Sequence, residues 1–388
     1  MHRGLILITG ASGFIGQAVV PRFLHAGFRV RGLLRRTSAW PFAAHPNLER
    51  IVGDMQDPAS LERACDGIDG ICHLAAAKAD EASSVRTNTD GARYLCKAAE
   101  HNNVPFIINI STQSARLLRR GRYGTTKADA DAIFASTMVP VTTLSPSLVF
   151  GGKGSGTFAT LFRISHFPII PLFGAGKAVY YPIHREDLAE LIVRSAERAE
   201  MRGKKYDAGG PEAVTFVQLL RQIAACAGRA PLLVPLPMTF GLLLAHILSL
   251  FPHPPFTVSN VLGGAEAVPL DSTPLYRCAA FTPRPISELL TEEVVLLNKR
   301  QIADPLTDEF KLLTRYILPK ACKRWKPGPI EIAWYTEALA EYPPLSMHRL
   351  DGVVRRWPFL LGGLDAITKL RCNSPIQKKL LIAATIVE

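Results

Sequence analysis

Apolar residues in the N-terminal part of the chain follow two spacings in turn. Short, nearly continuous apolar runs are separated by stretches in which apolar positions recur with the helical period. Leu5–Thr9, Phe28–Leu34, Leu48–Gly53, Gly70–Leu74, Phe106–Ile110 and Val141–Leu144 read as strands. Gly16–Ala26, Pro58–Ala64, Thr89–His101 and Tyr123–Ser136 read as helices, and Gly27 is a natural C-terminal stop for the first. Strands alternating with helices at this spacing predict βαβ units. The expected class is therefore α/β, with a doubly wound parallel sheet buried on both faces over residues 1–150.

The pattern changes at Gly151. Glycine and proline become frequent up to Pro182, which predicts a smaller, loop-rich, substrate-binding part over 151–290, interleaved with late elements of the sheet. Within it Leu188–Glu200 and Phe216–Ala227 have the periodicity of amphipathic helices, and Val258–Arg284 reads as irregular. Residues 291–388 read as a mostly helical C-terminal extension interrupted by prolines. Between Arg229 and Glu266 there is no Asp, Glu, Lys or Arg. Prolines divide that stretch, and its longest unbroken piece, Met238–Phe251, has 14 residues. As a helix it would measure roughly 21 Å against the ~30 Å of a bilayer's hydrocarbon core. The expectation is a buried helix, with contact to a membrane surface or partner complex through 238–251 and the C-terminal tail as the alternative.

Composition narrows the picture in two ways. A formal net charge of +12 favours anionic partners such as dinucleotides, phosphorylated substrates or lipid headgroups, or else is a plain basic surface. The basic clusters Arg116, Arg119, Arg120, Arg122 and Lys320, Lys323, Arg324, Lys326 are not interleaved with aromatic residues, which argues against nucleic acid. Seven cysteines without a CxxC pair predict neither a zinc site nor a disulfide framework, and fit reduced thiols in a cytoplasmic protein. The histidines form no cluster with metal-ligand spacing, so no metal is expected. The opening run Leu5–Ile8 is too short for a signal-peptide core.

The sharpest local signal is Thr9-Gly10-Ala11-Ser12-Gly13-Phe14-Ile15-Gly16, directly after the first strand and directly before the first helix. Gly10 allows the tight turn, Gly13 lets backbone approach a diphosphate, and Gly16 allows close helix–strand packing. The helix N-terminus supplies N–H donors. This predicts a Rossmann dinucleotide site formed by Gly10, Ser12, Gly13, Phe14, Ile15 and Gly16. The second strand ends in Arg35-Arg36 with no carboxylate, a pairing suited to a ribose 2′-phosphate. NADP is therefore the expected cofactor, with NAD as the alternative and a solvated strand end as the plain reading of the arginines.

Several stretches follow in the order of one superfamily: Val52-Gly53-Asp54 with Asp57-Pro58, His73-Leu74-Ala75-Ala76, Asn88 with Gly91, Tyr123-Gly124-Thr125-Thr126-Lys127, Pro146-Ser147-Leu148-Val149-Phe150-Gly151, Ile183-His184-Arg185-Glu186-Asp187 and Tyr206-Asp207-Ala208-Gly209-Gly210-Pro211. Over roughly residues 4–290 the chain resembles the extended and atypical short-chain dehydrogenase/reductases, the group of NAD-dependent epimerases and dehydratases. Within it the chain is most similar to the NADPH-binding accessory subunit of respiratory complex I. The resemblance implies that Asp54 bonds the adenine amino group with Met55 beside it. It also implies that Leu74, Ala75 and Ala76 line the cofactor, and that Pro146 and Ser147 flank the nicotinamide.

Tyr123 and Lys127 lie four apart on a predicted helix and share a face. A phenol is a poor base at neutral pH, and a nearby ammonium favours its phenolate while also holding a nicotinamide ribose. Thr112, just after the fifth strand, matches the family's hydroxyl that bonds the reacting oxygen; Ser111 is the alternative and Ser114 a third. Asn88 anchors a water relay or simply ties two segments together. His184 and Arg185 meet substrate, or His184 is a buried, hydrogen-bonded histidine. Gly174-Ala175-Gly176-Lys177 is a substrate-side loop or a plain turn. The ten residues between Thr112 and Tyr123 form a shorter loop than sugar-modifying members usually carry, and fit reductase-like members. The expected activity is an NAD(P)-dependent oxidoreductase, epimerase or dehydratase acting on a small-molecule hydroxyl or carbonyl. The alternative is an NADPH-binding structural or assembly protein docked to a membrane-associated complex.

Overall fold

The computed structural model describes residues 3–77, 85–118, 120–152, 157–173, 176, 178–248 and 268–301. Arg119, most of the 174–177 loop, residues 249–251 of the predicted apolar helix and the extension from 302 onward, with its basic cluster at 320–326, lie outside them. The chain divides into two compact units, Met1–Leu297 and Asn298–Glu388.

Strand β1 (Leu5–Thr9) is buried along its whole length, as are β4 (Gly70–His73) and β5 (Ile107–Ile110). That burial is what a near-continuous apolar run produces at the centre of a parallel sheet. With β2 (Arg29–Leu34), β3 (Leu48–Val52), β6 (Val141–Pro146) and β11 (Lys205–Ala208) they form a seven-stranded sheet of order β3-β2-β1-β4-β5-β6-β11. All six pairings are parallel. Successive residues of β1 face opposite sides. Ile6 and Ile8 join a core with Val19, Val20 and Phe23 of α1 (Gly16–His25) and Leu188, Leu191 and Ile192 of α6 (Arg185–Glu197). Leu5 and Leu7 join a second core with Leu61 of α2 (Pro58–Cys65), Leu95 of α3 (Gly91–His101) and Phe134 of α4 (Arg122–Ser136).

The helix boundaries follow from their caps. Gly27 takes φ +85° just past α1, a left-handed stop suited to glycine. Asp57 accepts a hydrogen bond from the Ala59 amide while Pro58 opens α2. Thr215 and Gln218 form a reciprocal capping box at the start of α7 (Phe216–Cys226).

A second lobe hangs between β6 and the end of the unit. It contains β7 (Val149–Phe150), α5 (Thr157–Ile164), β8 (Ile169–Phe173), β9 (Val179–Tyr180), β10 (Ile183–His184), β12 (Val214–Thr215), α7, β13 (Leu232–Leu236), α8 (Met238–Leu248), α9 (Thr273–Ala279) and α10 (Ile286–Gln301). Strands β7/β10 and β8/β13 pair in parallel, and β9/β12 pair antiparallel. Phe158, Phe162, Ile170, Leu172, Leu219, Ile223, Ile286 and Leu290 pack its core.

Four expectations are corrected. The predicted Thr89 helix is preceded by a π-helical turn, Val85–Asp90, and its α-helical part starts at Gly91. The helix predicted at Leu188 starts at Arg185, because His184 caps it. The stretch read as irregular up to Arg284 contains α9, which ends at Ala280 with φ +49° rather than at a glycine. Helix α8 is not buried: Phe240 is 50% and Leu243 59% exposed. No described helix is long and apolar enough to cross a membrane.

Candidate active site

The sheet order reverses between β1 and β4, and the glycine turn sits at that point, where α/β sheets hold their ligands. Gly10 has φ +72°, and a Cβ on it would lie 2.8 Å from the Ala75 amide nitrogen. A Cβ on Gly16 would lie 2.3 Å from the Ala11 carbonyl oxygen. Both positions exclude any side chain. The Gly13 amide closes the turn onto the Gly10 carbonyl at 2.9 Å, and Gln17 Nε2 donates to the Ser12 carbonyl at 3.0 Å. Gly13 is exposed, Phe14 and Ile15 are half-buried, and no side chain caps α1 at Ile15. The turn is a concave patch of backbone at the positive end of a helix, the form a diphosphate fits.

Around the turn, the Leu74 amide donates to the Thr9 carbonyl (3.1 Å) and the Ala75 amide to Thr9 Oγ1 (3.3 Å), which lays Leu74, Ala75 and exposed Ala76 beside Gly10. Thr9 Oγ1 also shares a 2.8 Å hydrogen bond with His73 Nδ1. Arg35 and Arg36 are exposed just past β2. Asp54 Oδ1 accepts from the Gln56 amide at 2.9 Å. Met55 is buried in the core with Leu33 and Leu61, so its backbone is what it can offer a nucleotide. Asn88 is fully engaged: Oδ1 accepts from the Ala77 amide (2.8 Å), and Nδ2 donates to the Ala77 carbonyl and to Thr126 Oγ1 (3.0 Å each). It ties the strip after β4 to α4, the second of its two expected roles. Pro146 pairs with Ala208 at the sheet edge. Ser147 Oγ donates to Gln113 Oε1 (2.9 Å) and accepts from the Tyr181 amide (3.1 Å).

The three residues expected to be catalytic, Thr112, Tyr123 and Lys127, lie about the end of β5. Lys127 is buried, and its Nζ donates to the Ile110 carbonyl at 2.8 Å. Tyr123, one turn earlier on α4, is half-buried. Gly124 brings this part of α4 against the loop after β5, since a Cβ there would lie 2.5 Å from the Ser114 carbonyl oxygen. Thr112 caps the short 3₁₀ turn Gln113–Arg116 by accepting from the Ser114 amide at 3.3 Å. Ser111, the alternative to Thr112, donates to Asp131, which also accepts from Asn109 Nδ2 at 2.9 Å.

Asp131 stands one turn beyond Lys127 on α4 and was not singled out from sequence; the i, i+4 spacing from Lys127 is the signal that could have found it. Burial, and then the Asp131 charge, push the Tyr123 phenol up to about 12. Burial lowers the Lys127 ammonium from its ordinary value, and Asp131 opposes that. Burial, then the Lys127 charge, hold the His73 imidazole down to about 3, so it is neutral in this site.

His184 is the buried, hydrogen-bonded histidine: Nδ1 accepts from the Glu186 amide (3.3 Å), so Nε2 carries the proton toward Glu293 Oε1 (3.0 Å). Glu293 Oε2 accepts from the Gly152 amide at 3.0 Å. A Cβ on Gly151 would lie 2.2 Å from His184 Nε2. The Arg185 guanidinium lies 5.8 Å from the Phe14 ring centroid, with Gly152 against it. Among the described residues no group of His, Cys, Asp and Glu could hold a metal ion.

The chain is similar to known proteins at two levels. It is 29% identical over 239 residues to a ceramide reductase of Caulobacter vibrioides, covering 61% of this chain and 74% of that one. It is 25% identical over 260 residues to a 2-alkyl-3-oxoalkanoate reductase of Shewanella oneidensis, covering 58% and 66%. Its fold matches a dTDP-glucose 4,6-dehydratase of Streptomyces venezuelae solved with NAD, at TM-score 0.61 and 20% identity, covering 78% and 99%. These likenesses carry the superfamily expectation and do not bear on the narrower one to a complex I subunit. The family model for NAD dependent epimerases and dehydratases matches residues 6–209, more than half of the chain. With the glycine turn and the seven-stranded order beside that match, the chain belongs to the NAD dependent epimerase/dehydratase family.

Proposed function

We propose that the protein is a carbonyl reductase of the short-chain dehydrogenase type that uses NADP(H) in preference to NAD(H), with Tyr123 as the proton donor. The cofactor's fit rests on the glycine turn: Gly10 and Gly16 leave room that a Cβ would fill, and α1 begins without a side-chain cap. Gly10, Ser12, Gly13, Phe14, Ile15 and Gly16 would hold the diphosphate and Leu74, Ala75 and Ala76 the nucleoside side. Asp54 would meet the adenine, Arg35 and Arg36 the 2′-phosphate, and Pro146 and Ser147 the nicotinamide edge. A bound nicotinamide nucleotide supplies hydride to a carbonyl carbon.

The residues of this chain manage the oxygen. The Thr112 hydroxyl donates a hydrogen bond to it and fixes its direction. The Tyr123 phenol, protonated at neutral pH as any phenol is and held so more firmly by burial, donates the proton that turns it into a hydroxyl. The Lys127 ammonium then faces the phenolate left behind and stabilises it until a solvent proton replaces the one transferred. Ser111 is engaged by Asp131, which favours Thr112 as the hydroxyl that meets substrate. The observation that carries the reading is the Lys127–Ile110 bond, which pins the Tyr123 face of α4 to the end of β5. Two relatives being reductases by name, and the short loop before Tyr123, support reduction over sugar epimerisation or dehydration.

Calorimetry with NADPH and NADH, followed by NADPH oxidation with a panel of alkyl ketones, tests the proposal. Tyr123→Phe should bind nucleotide as the wild type does and lose roughly 10²-fold or more of its turnover. Failure of both nucleotides to bind, or wild-type turnover by Tyr123→Phe, would overturn it.

A further inference from the structure

The β8/β13 ribbon has two unlike faces. Ile170 and Leu172 point into the lobe's core. The opposite face carries the in-register pairs Ile169–Leu232, Pro171–Val234 and Phe173–Leu236, all apolar. Ile169 is 58% and Leu232 63% exposed. Helix α8 continues this surface. A Cβ on its Gly241 would lie 2.4 Å from the Phe173 ring, and Gly241 and Ala245, one turn apart, are both buried. Phe240 and Leu243 lie off that face and in solvent. Single exposed apolar residues need no explanation, but a contiguous face of them on a soluble fold marks a contact surface.

Charge identifies what the face meets. Neither 151–185 nor 213–265, the segments that contain the ribbon and α8, has a single Asp or Glu. Exposed Arg229 stands three residues before Leu232, at the start of β13. A second copy of the chain would bring a second Arg229 to the contact and no carboxylate from these segments to pair with it. An apolar face with Arg229 at its margin and no carboxylate in its own segments complements a bilayer with anionic headgroups, which takes the side chains into its acyl boundary and the arginine at its phosphates.

We infer that the outer face of the β8/β13 ribbon and helix α8 seats the protein on the surface of an anionic lipid bilayer, without crossing it. This is independent of the reductase reading, because the glycine turn and Tyr123 take no part in it. Flotation of the full chain with vesicles of equimolar phosphatidylcholine and phosphatidylglycerol, against phosphatidylcholine alone, tests it. The protein should float with the anionic vesicles, less so at high salt and far less with the neutral ones. F240S/L243S and, separately, I169S/L232S should each weaken partitioning by roughly tenfold or more. Arg229→Glu should weaken it on anionic vesicles only. Thermal midpoints and NADPH binding should stay as in the wild type, because these side chains are exposed. No flotation with either vesicle, flotation unaffected by both double variants, or a wild-type dimer that these variants dissociate would overturn the inference.

Discussion

Replacing His73 by asparagine should make folding stability less dependent on pH. His73 is buried, bonded through Nδ1 to Thr9 Oγ1, tilted against the Phe134 ring, and near the Lys127 charge. Its pKa falls from 6.5 in the unfolded chain to about 3 in the folded one. Well above pH 6.5 neither state binds the proton, and the imidazole adds no pH-dependent term. Between those two values the unfolded chain binds a proton that the folded one refuses, so stability falls as pH falls. From near pH 7 to near pH 5 this one group should remove about 2 kcal/mol, and the slope between them approaches about 1.4 kcal/mol per pH unit. Asparagine keeps an acceptor for Thr9 and cannot be protonated. The ring's lost packing costs the variant a constant amount that cancels when its own two pH values are compared. Urea melts of both proteins at both pH values read the difference directly. Equal pH dependence in the two would mean that the folded protein accommodates a charged His73, and the described burial beside Lys127 would be wrong.

Other expectations follow from the same site. Gly10→Ala meets both a left-handed backbone and the Ala75 amide, and should reduce nucleotide affinity more than tenfold in calorimetry while lowering the melting temperature. Arg35→Ala/Arg36→Ala should weaken NADP(H) roughly tenfold and leave NAD(H) unchanged; equal loss for both would assign the arginines to a solvated strand end. Asp131→Asn removes a charge that raises both Tyr123 and Lys127. The alkaline limb of the reduction rate should therefore move to lower pH, whereas a profile superimposable on the wild type would leave Asp131 a purely structural part. Glu293→Ala strips the His184 Nε2 proton and the Gly152 amide of their acceptor, and should cost about 3 kcal/mol in denaturant melts.

What could be read from sequence was what depends on neighbours along the chain. The glycine turn is legible because each glycine answers a backbone demand within a few residues. Asp57-Pro58 is legible because a cap needs only its own helix. The β8/β13 ribbon was not, since Pro171 and Pro235 look like breakers and only a two-stranded edge pairing accommodates them. Glu293 stands far along the chain from His184, and no local pattern announces the contact. Asp131 gains meaning only once the end of β5 is known to lie against α4, because its partners Asn109 and Ser111 come from another element. Helix α8 was misjudged because an apolar composition says that a surface avoids water, not what shields it.

Strand β11 returns to the sheet beside β6 only after the chain has travelled out through β7, α5, β8–β10 and α6. A cut after Phe150 therefore does not separate a nucleotide module from a lobe. It removes the terminal strand and the helix that packs against Val19 and Phe23, and leaves the margin of β6 open to pair with foreign chains. Fragments for expression or exchange should keep Lys205–Ala208 with the first six strands. Helix α6 lies between those anchors and has to stay with them, because Leu188, Leu191 and Ile192 share the core of Val19 and Phe23.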